Sequence, residues 1–333
     1  MRSPTVAVII PFFQREAGIL SRALRSVASQ SFARDALYVL VIDDGSPVSA
    51  AQEFAAFPPP PEVRVTVIRQ VNRGPNEARN TGLQNLEPST RWIAYLDSDD
   101  EWTSAHLERA LHTLAAGCNA YFANLFHLGD TIDEFTKAAR VRPAEHPMVG
   151  DDPTLRVYRG DMVNQIVTAN IIFMPTLVID AAALGQVRFP NAHQHGGGDY
   201  LYWLELIHHG ARFGFSTVPE VRCGSGINMW YRNGWGTDGL AMRIVDEARF
   251  RRTAIARYAQ SGTTKKSLHA QLVALQMGMI RDLLHRLRRG KPVQWRAVKV
   301  FFCENKPGAA LLIGLLGSLA GLASRRKFGI GKP

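Results

Sequence analysis

From Val6 to Leu114 the chain alternates between two hydrophobic periods. Val6-Ala7-Val8-Ile9-Ile10, Tyr38-Val39-Leu40-Val41-Ile42, Val63 to Ile68 and Trp92-Ile93-Ala94-Tyr95-Leu96 are short, nearly unbroken apolar runs. That is the pattern of strands buried on both faces. Between them Leu20, Ala23, Leu24, Val27 and Ala28 recur at helical spacing, and a second helix is predicted over Asn76 to Leu86. A third starts near Thr103 and carries Leu107, Ala110, Leu111 and Leu114, with Gly117 placed to end it. Strands alternating with helices predict an α/β fold, a Rossmann-like and mostly parallel sheet flanked by helices.

Further on, Ala120 to Leu125 reads as another strand. Gly129 to Val163 is polar, irregular and contains several prolines, which predicts a long surface insertion. Order resumes at Val167 to Phe173 and at Thr176 to Ile179. Gly196-Gly197-Gly198-Asp199 then opens a helix with Tyr200, Trp203, Leu204 and Ile207 expected on one face. From Thr237 the chain turns helical and basic: Leu268, Leu272, Leu275, Met279, Leu283 and Leu287 fall near helical spacing, and Gly290 is the stop signal. The expected division is residues 1–236 and a helical extension, 237–333.

Composition narrows the function. A hydrophobic content of 46% across 333 residues supports a sizeable core. The net charge of +10 calls for an anionic partner: a membrane surface, a nucleic acid or a phosphorylated substrate. No nucleic-acid motif accompanies that charge, so no nucleic-acid partner is expected. Cys118, Cys223 and Cys303 have neither disulfide-framework nor zinc spacing, and no secretory pattern is seen near Val6 to Phe13, which together predict a cytoplasmic protein. Neither a Gly-x-Gly-x-x-Gly after the first strand nor a P-loop occurs, which argues against a dinucleotide dehydrogenase and a P-loop NTPase.

The chemistry concentrates where the fourth strand ends. Asp97-Ser98-Asp99-Asp100-Glu101 sets four carboxylates within five positions. Like charges so close repel and raise one another's pKa. A divalent cation relieves that, and Asp-x-Asp is a natural pair of hard oxygen ligands. The competing reading is a solvated acidic loop that caps the following helix.

Four stretches stand in order: Val8-Ile9-Ile10-Pro11-Phe12-Phe13, Val41-Ile42-Asp43-Asp44-Gly45-Ser46, Asn72-Arg73-Gly74-Pro75-Asn76-Glu77-Ala78-Arg79-Asn80-Thr81-Gly82 and Leu96-Asp97-Ser98-Asp99-Asp100. In that order and spacing the chain resembles family 2 glycosyltransferases of the GT-A fold, up to about Ser225. More narrowly it resembles bacterial exopolysaccharide enzymes of the succinoglycan side-chain glucosyltransferase type. The resemblance implies inverting transfer of a hexose from a UDP-sugar donor to a lipid-linked glycan acceptor, with Mn²⁺ or Mg²⁺ as cofactor. It assigns Asp99 and Asp97 to the metal, and Pro11, Phe12, Asp43, Asp44, Asn76, Arg79, Asp97 and Ser98 to the nucleotide-sugar. Asp43 would accept a hydrogen bond from the uracil ring, which Pro11 and Phe12 would frame. Residues 1–117 would then form the nucleotide side and 118–236 the acceptor side.

The same resemblance makes Asp199 the general base. Family members carry Glu-Asp or Asp-Asp at this place, whereas here the pair is Gly198-Asp199. Asp199 also suits a helix N-cap after three glycines. Family members often have a His after an Arg near the diphosphate. Here Arg222-Cys223-Gly224-Ser225 has none, which leaves His193, His195 or Cys223 as candidates for that place. Trp230, Tyr231 and Trp235 could stack on an acceptor sugar or pack between helices. Two other readings stay open: a sugar nucleotidyltransferase, and a basic membrane-binding protein with an inactive transferase-like domain.

At the C-terminus Arg281, Arg286, Arg288, Arg289, Lys291, Arg296 and Lys299 alternate with leucines, Trp295, Val298, Val300, Phe301 and Phe302. That mixture predicts peripheral attachment to an anionic membrane surface, the inner face of the bacterial plasma membrane, with the aromatics at headgroup level. Gly308 to Ala323 is uncharged but short of the roughly twenty apolar residues of a span. The alternative is a helical pair packed internally or a homodimer interface.

Overall fold

The computed structural model describes residues 5–32, 36–61, 63–191, 193, 195–225, 237 and 239–305. The chain divides into two compact units, residues 1–228 and 229–333. Among the described residues the first unit is built on one ten-stranded sheet.

Strand β1 (Thr5–Phe12) is third from one edge of it, with β2 (Leu37–Asp43) parallel on one side and β4 (Thr90–Tyr95) parallel on the other. β3 (Arg64–Arg69) pairs with β2 at the edge, giving the local order β3-β2-β1-β4. β1 and β2 are buried almost throughout, as unbroken apolar runs predict. β3 departs from the expectation of burial on both faces: it is largely exposed, because an edge strand has one neighbour and its Arg64, Thr66 and Arg69 stay in water.

Helices α1 (Ile19–Ala28), α2 (Ala50–Ala56) and α3 (Pro75–Gln84) form the crossovers. The chain leaves β1 for β2 and β3, then returns through α3 to β4 on β1's other side. That reversal is a topological switch point, and such sheets bind ligands in the crevice outside the strand ends there. α3 approaches β1 unusually closely. A Cβ on Gly82 would fall 2.6 Å from Ile9 Cγ2, so glycine is what lets the helix settle onto the strand.

Beyond β4 the sheet turns mixed. β9 (Val178–Asp180) runs antiparallel to both β4 and β6 (Ala120–Phe126), and β10 (Phe213–Arg222) runs parallel to β6. The expected surface insertion at 129–163 is corrected here. It holds a short helix (Glu134–Ala138), β7 (Met148–Val149) and β8 (Asp152–Val157), and β8 pairs with β10. Val149 and Leu155 are buried in the main core. Few of its side chains face inward, so the stretch looks polar while its backbone belongs to the sheet. β10 itself escapes a hydrophobicity reading because Gly214, Ser216, Pro219 and Glu220 interrupt it. In the helix Gly198–His208 the face is also corrected: Leu201, Tyr202, Trp203, Leu204 and Leu206 are buried, while Tyr200 and Ile207 are half-buried.

The second unit holds helices Leu240–Arg257, Gly262–Arg289 and Trp295–Glu304 around Ile244, Val245, Ala248, Met279, Ala297 and Phe301. Gly290 ends the long helix with φ +63°, a left-handed cap. The fully buried Arg286 donates to Asp282 Oδ2 (2.8 Å), to the Pro292 carbonyl (2.8 Å) and to the Thr237 carbonyl. No helix among the described residues is long and apolar enough to cross a membrane, and residues 308–323 lie outside them.

Glu304 closes this unit by accepting from Arg249 and Arg252. Those hydrogen bonds, Arg249's first, pull its carboxyl from 4.5 down to about 2. A carboxylate whose folded pKa is depressed contributes stability that is present above its unfolded pKa and lost as pH falls toward the folded one. Glu304→Gln should therefore melt below wild type at neutral pH. The gap should close as pH is lowered from 4.5 toward about 2. Melting curves across that range check it, and a pH-independent gap would sink the ion-pair account.

Candidate active site

The loops at the carboxyl ends of β1, β2 and β4 are knitted together by short polar side chains. The Gln14 amide donates to Ser46 Oγ (2.7 Å), Ser46 Oγ donates to the Gln14 carbonyl (2.9 Å), and Gln14 Nε2 reaches Ser98 Oγ (3.1 Å). Asp43 accepts the amides of Ser46 (2.8 Å) and Ala50 (3.0 Å), one on each carboxylate oxygen. Asp44 accepts Gln70 Nε2 and the amides of Arg73 and Gly74 at 2.7–2.9 Å. Both are buried. The turn-forming role of Asp43 and Asp44 is thus the one their geometry displays: they shape the rim of the crevice. Phe12 is fully buried within the core, so its ring has no open face for a base, whereas Pro11 is half-buried in β1 opposite Ile42.

Arg79 stands over the crevice from α3. Its Nη2 donates to Asp97 Oδ1 at 2.7 Å and its Nη1 to Asp199 Oδ1 at 3.1 Å. The guanidinium is buried, lying 5.5 Å over the Phe189 ring, and Phe189 in turn stacks on Tyr202 at 3.7 Å. Burial works against Arg79's charge, but the Asp97 and Asp199 carboxylates outweigh it and hold its pKa above the usual value. The Asp97 and Asp199 side chains keep 32% and 41% of their surface open. Asp199 nonetheless sits low in the crevice: burial pushes its carboxyl above the usual range, Arg79 pulls it back and Asp97 adds to the rise. A carboxylate tuned upward is a better proton acceptor near neutral pH.

The acidic loop is clamped from β10. Gly224 N donates to Asp100 Oδ1 at 3.0 Å, and a Cβ on Gly224 would lie 1.7 Å from the Asp99 carbonyl oxygen. Burial first, then Asp97 and Asp99, push the Asp100 carboxyl well above its usual range, while Gly224 and the Cys223 thiol draw it down. The Cys223 thiol is itself raised by burial and by the same acids. Cys223, one of the three candidates for the missing family His, is brought by these contacts to the acidic loop. Behind it His106 Nδ1 lies 2.9 Å from Glu220 Oε2, and Tyr121 Oη donates to Glu220 at 2.8 Å. No sequence signal marked this buried trio, which is contributed by three separate elements.

Asn76 and Asn80 tie α3 to the loop that delivers Asp199. Asn76 Nδ2 reaches the His193 carbonyl (3.2 Å), and Asn80 pairs with both the amide (2.8 Å) and the carbonyl (2.9 Å) of Phe189. A Cβ on Gly198 would fall 2.2 Å from Asn76 Nδ2. That explains the departure from the paired acids: Asn76 occupies the room a first acid would need. Asn76 is therefore a loop anchor in this geometry. Trp230, Tyr231 and Trp235 lie outside the described residues.

Asp97, Asp99 and Asp100 at the strand end are hard oxygen donors, and burial, then the charges of Asp97 and Asp99, raises the Asp100 carboxyl. Among the described residues no three or more His, Cys, Asp and Glu form a ready-made metal cage. Carboxylate oxygens suit a Mg²⁺- or Mn²⁺-type ion, which is commonly held by one or two carboxylates and completed by substrate phosphates.

The mostly parallel sheet, with helices on its faces and a switch-point crevice at its strand ends, has the GT-A fold. The glycosyl transferase family 2 model matches residues 7–174, and the chain belongs to that family. It is 33% identical over 235 residues to the succinoglycan biosynthesis protein ExoW of Rhizobium meliloti (strain 1021), covering 68% of this chain and 70% of that protein. It is 23% identical to the Escherichia coli UDP-Glc:alpha-D-GlcNAc-diphosphoundecaprenol beta-1,3-glucosyltransferase WfgD, over 66% of this chain and 74% of that one. The S. aureus TarS 1-349 structure in complex with UDP-GlcNAc superposes with a TM-score of 0.57 at 16% identity. It covers 82% of this chain and 73% of that one, a likeness of fold.

The Gly224 clamp generates a test. Gly224→Ala should lose about 1–3 kcal/mol or more on urea unfolding, as overpacking does. Gly262→Ala, where nothing lies within 4 Å of the added methyl, should lose far less. Equal unfolding midpoints would show that the acidic loop yields freely.

Proposed function

We propose that the chain is an inverting glycosyltransferase that moves a hexose from a UDP-sugar to a hydroxyl of a lipid-linked oligosaccharide, in bacterial exopolysaccharide or surface-glycan assembly at the inner membrane face. The observation that carries this reading is Arg79, one buried cation bonded to both Asp97 on the donor edge and Asp199 on the acceptor edge. The UDP-Glc donor and diphosphoundecaprenol acceptor of WfgD, and the UDP-GlcNAc in the structural neighbour, support the donor class and the carrier lipid, while ExoW's succinoglycan biosynthesis supports the polysaccharide product.

In this reading the acceptor oxygen attacks the anomeric carbon from the side opposite the diphosphate. The new C–O bond forms as the old one breaks, the diphosphate leaves with that electron pair, and Asp199 takes the hydroxyl proton. Arg79 holds Asp199 in place and keeps it ionised for that task. Pro11, Asn76 and Ser98 frame the nucleotide crevice, with Asp43 and Asp44 fixing its loops. Asp97 and Asp99 would hold Mn²⁺ or Mg²⁺, which supplies positive charge against the diphosphate's growing negative charge. Membership of glycosyl transferase family 2, whose members move sugars rather than nucleotidyl groups, argues against the sugar nucleotidyltransferase alternative.

Asp199→Asn keeps the side chain's shape and its hydrogen bond to Arg79 but cannot accept a proton. Transfer should fall by about two to four orders of magnitude. Affinity for UDP, measured by calorimetry, should change little. Retained turnover would mean that the base lies elsewhere.

Asp99→Ala should abolish transfer while leaving the fold intact, and chelator should silence the wild type until Mn²⁺ or Mg²⁺ is restored. Release of free nucleotide from a panel of nucleotide sugars is the readout. Full activity in excess chelator would remove the metal from this account.

A further inference from the structure

The second unit carries a surface of unusual composition. Between Gly262 and Cys303 the one acidic residue is Asp282, which is buried and bonded to Arg286. Every residue from Leu287 to Pro292 is exposed, and that run includes Arg288, Arg289 and Lys291. On the next helix Trp295 and Lys299 share a face by their i, i+4 spacing, and Arg296 is exposed beside them. The opposite face holds Ala297 and Phe301 in the core. Leu287 at 55% and Trp295 at 61% exposure, the two most exposed large apolar side chains described in this unit, bracket the turn at Gly290. Among the described residues of this unit, Asp246, Glu247 and Glu304 are engaged by Arg249, Arg251 and Arg252.

We infer that this turn docks on an anionic lipid bilayer, Leu287 and Trp295 entering at headgroup level within a collar of Arg288, Arg289, Arg296 and Lys299. The occupant follows from charge and shape. A bilayer presents diffuse negative charge with apolar depth beneath, which suits exposed basic side chains around an indole and an isobutyl group. Trp favours that interface because its ring is apolar and its N–H polar. Phe301, an insertion candidate by sequence, is excluded by its burial, and Phe302 is half-buried against the unit's core. The inference extends the lipid-borne acceptor of the proposed function, yet its test uses no sugar chemistry, so the two can fail separately.

The test is flotation of the full chain with vesicles of phosphatidylcholine alone or with increasing phosphatidylglycerol. The expected result is flotation that rises with phosphatidylglycerol and falls with salt. Each basic residue near the surface is worth roughly fivefold in partitioning, so Arg288→Gln, Arg289→Gln and Lys299→Gln together should weaken it about a hundredfold. Trp295→Ala should leave the anion dependence and sharpen the salt sensitivity. Matching melting curves establish that the variants fold, as exposed positions lead one to expect. Failure to float, equal flotation on phosphatidylcholine alone, or full flotation of the triple variant each overturns the inference. So does a patch that binds an oligonucleotide in preference to the vesicles, or a dimer that Trp295→Ala dissociates. A wild type that floats but transfers no sugar would leave the docking surface standing and remove the proposed reaction instead.

Discussion

A buried guanidinium tied to two carboxylates constrains the rest of the first unit. Leaving a buried charge without its partner is strongly destabilising, whereas a paired one can be tolerated, so the fold must bring both acids to Arg79. Asp97 arrives easily, at the end of the strand that α3 feeds. Asp199 lies 120 residues along the chain from Arg79 and needs the whole second half of the sheet to reach it. The requirement passes back to Gly82, because any larger residue there would lift α3 off β1 and carry Arg79 out of the crevice. One missing side chain in the helix thus sets the position of a charge one turn earlier.

Around that charge the polar residues divide into two kinds. Asp43, Asp44, Asn76, Asn80, Gln14 and Ser46 bond mainly to backbone, with side-chain bonds to Ser98, Gln70 and Asn191 besides. They are rigid supports, and buried polar groups satisfied in this way hold loops in a single geometry. Asp97 and Asp199 keep open surface and few bonds besides Arg79. A reacting carboxylate must stay available to a proton or a cation, so its freedom depends on neighbours whose own needs are met elsewhere. Motif residues of one acidic type can therefore do opposite jobs, and a sequence pattern alone does not separate them.

The parallel half of the sheet was legible because its strands are buried on both faces, which leaves unbroken apolar runs around Ile9, Val41 and Ala94. The mixed half was not. β8 offers Leu155 to the core between polar neighbours, and β10 is interrupted by Pro219 and by Glu220, whose carboxylate is satisfied by Tyr121 and His106. A buried acid with two partners from distant elements has no local signature. Asp97, Asp99 and Asp199 were visible as motif positions, while Asn80 and Gly224 matter through backbone contacts that no composition rule reports. The aromatic residues followed the same logic: Phe12 and Phe301 look alike in sequence to rings that meet a ligand, and burial is what separates them.

The Gly198-Asp199 pair shows how such a support can replace a charge. Two adjacent acids at the head of a helix repel, and one of them must be protonated or screened. Here the first position carries no side chain, and the amide of Asn76 fills the space while bonding the His193 carbonyl. The neutral anchor removes a competing negative charge from Arg79's surroundings, so the guanidinium is shared by two carboxylates rather than three. That leaves Arg79 bonded directly to Asp199 on one side and to Asp97 on the other. Whatever draws Asp97 toward a cation on the donor side must then loosen or redirect the same guanidinium that holds Asp199. In the proposed reaction, donor binding at Asp97 and proton transfer at Asp199 would thus be linked through the single side chain of Arg79.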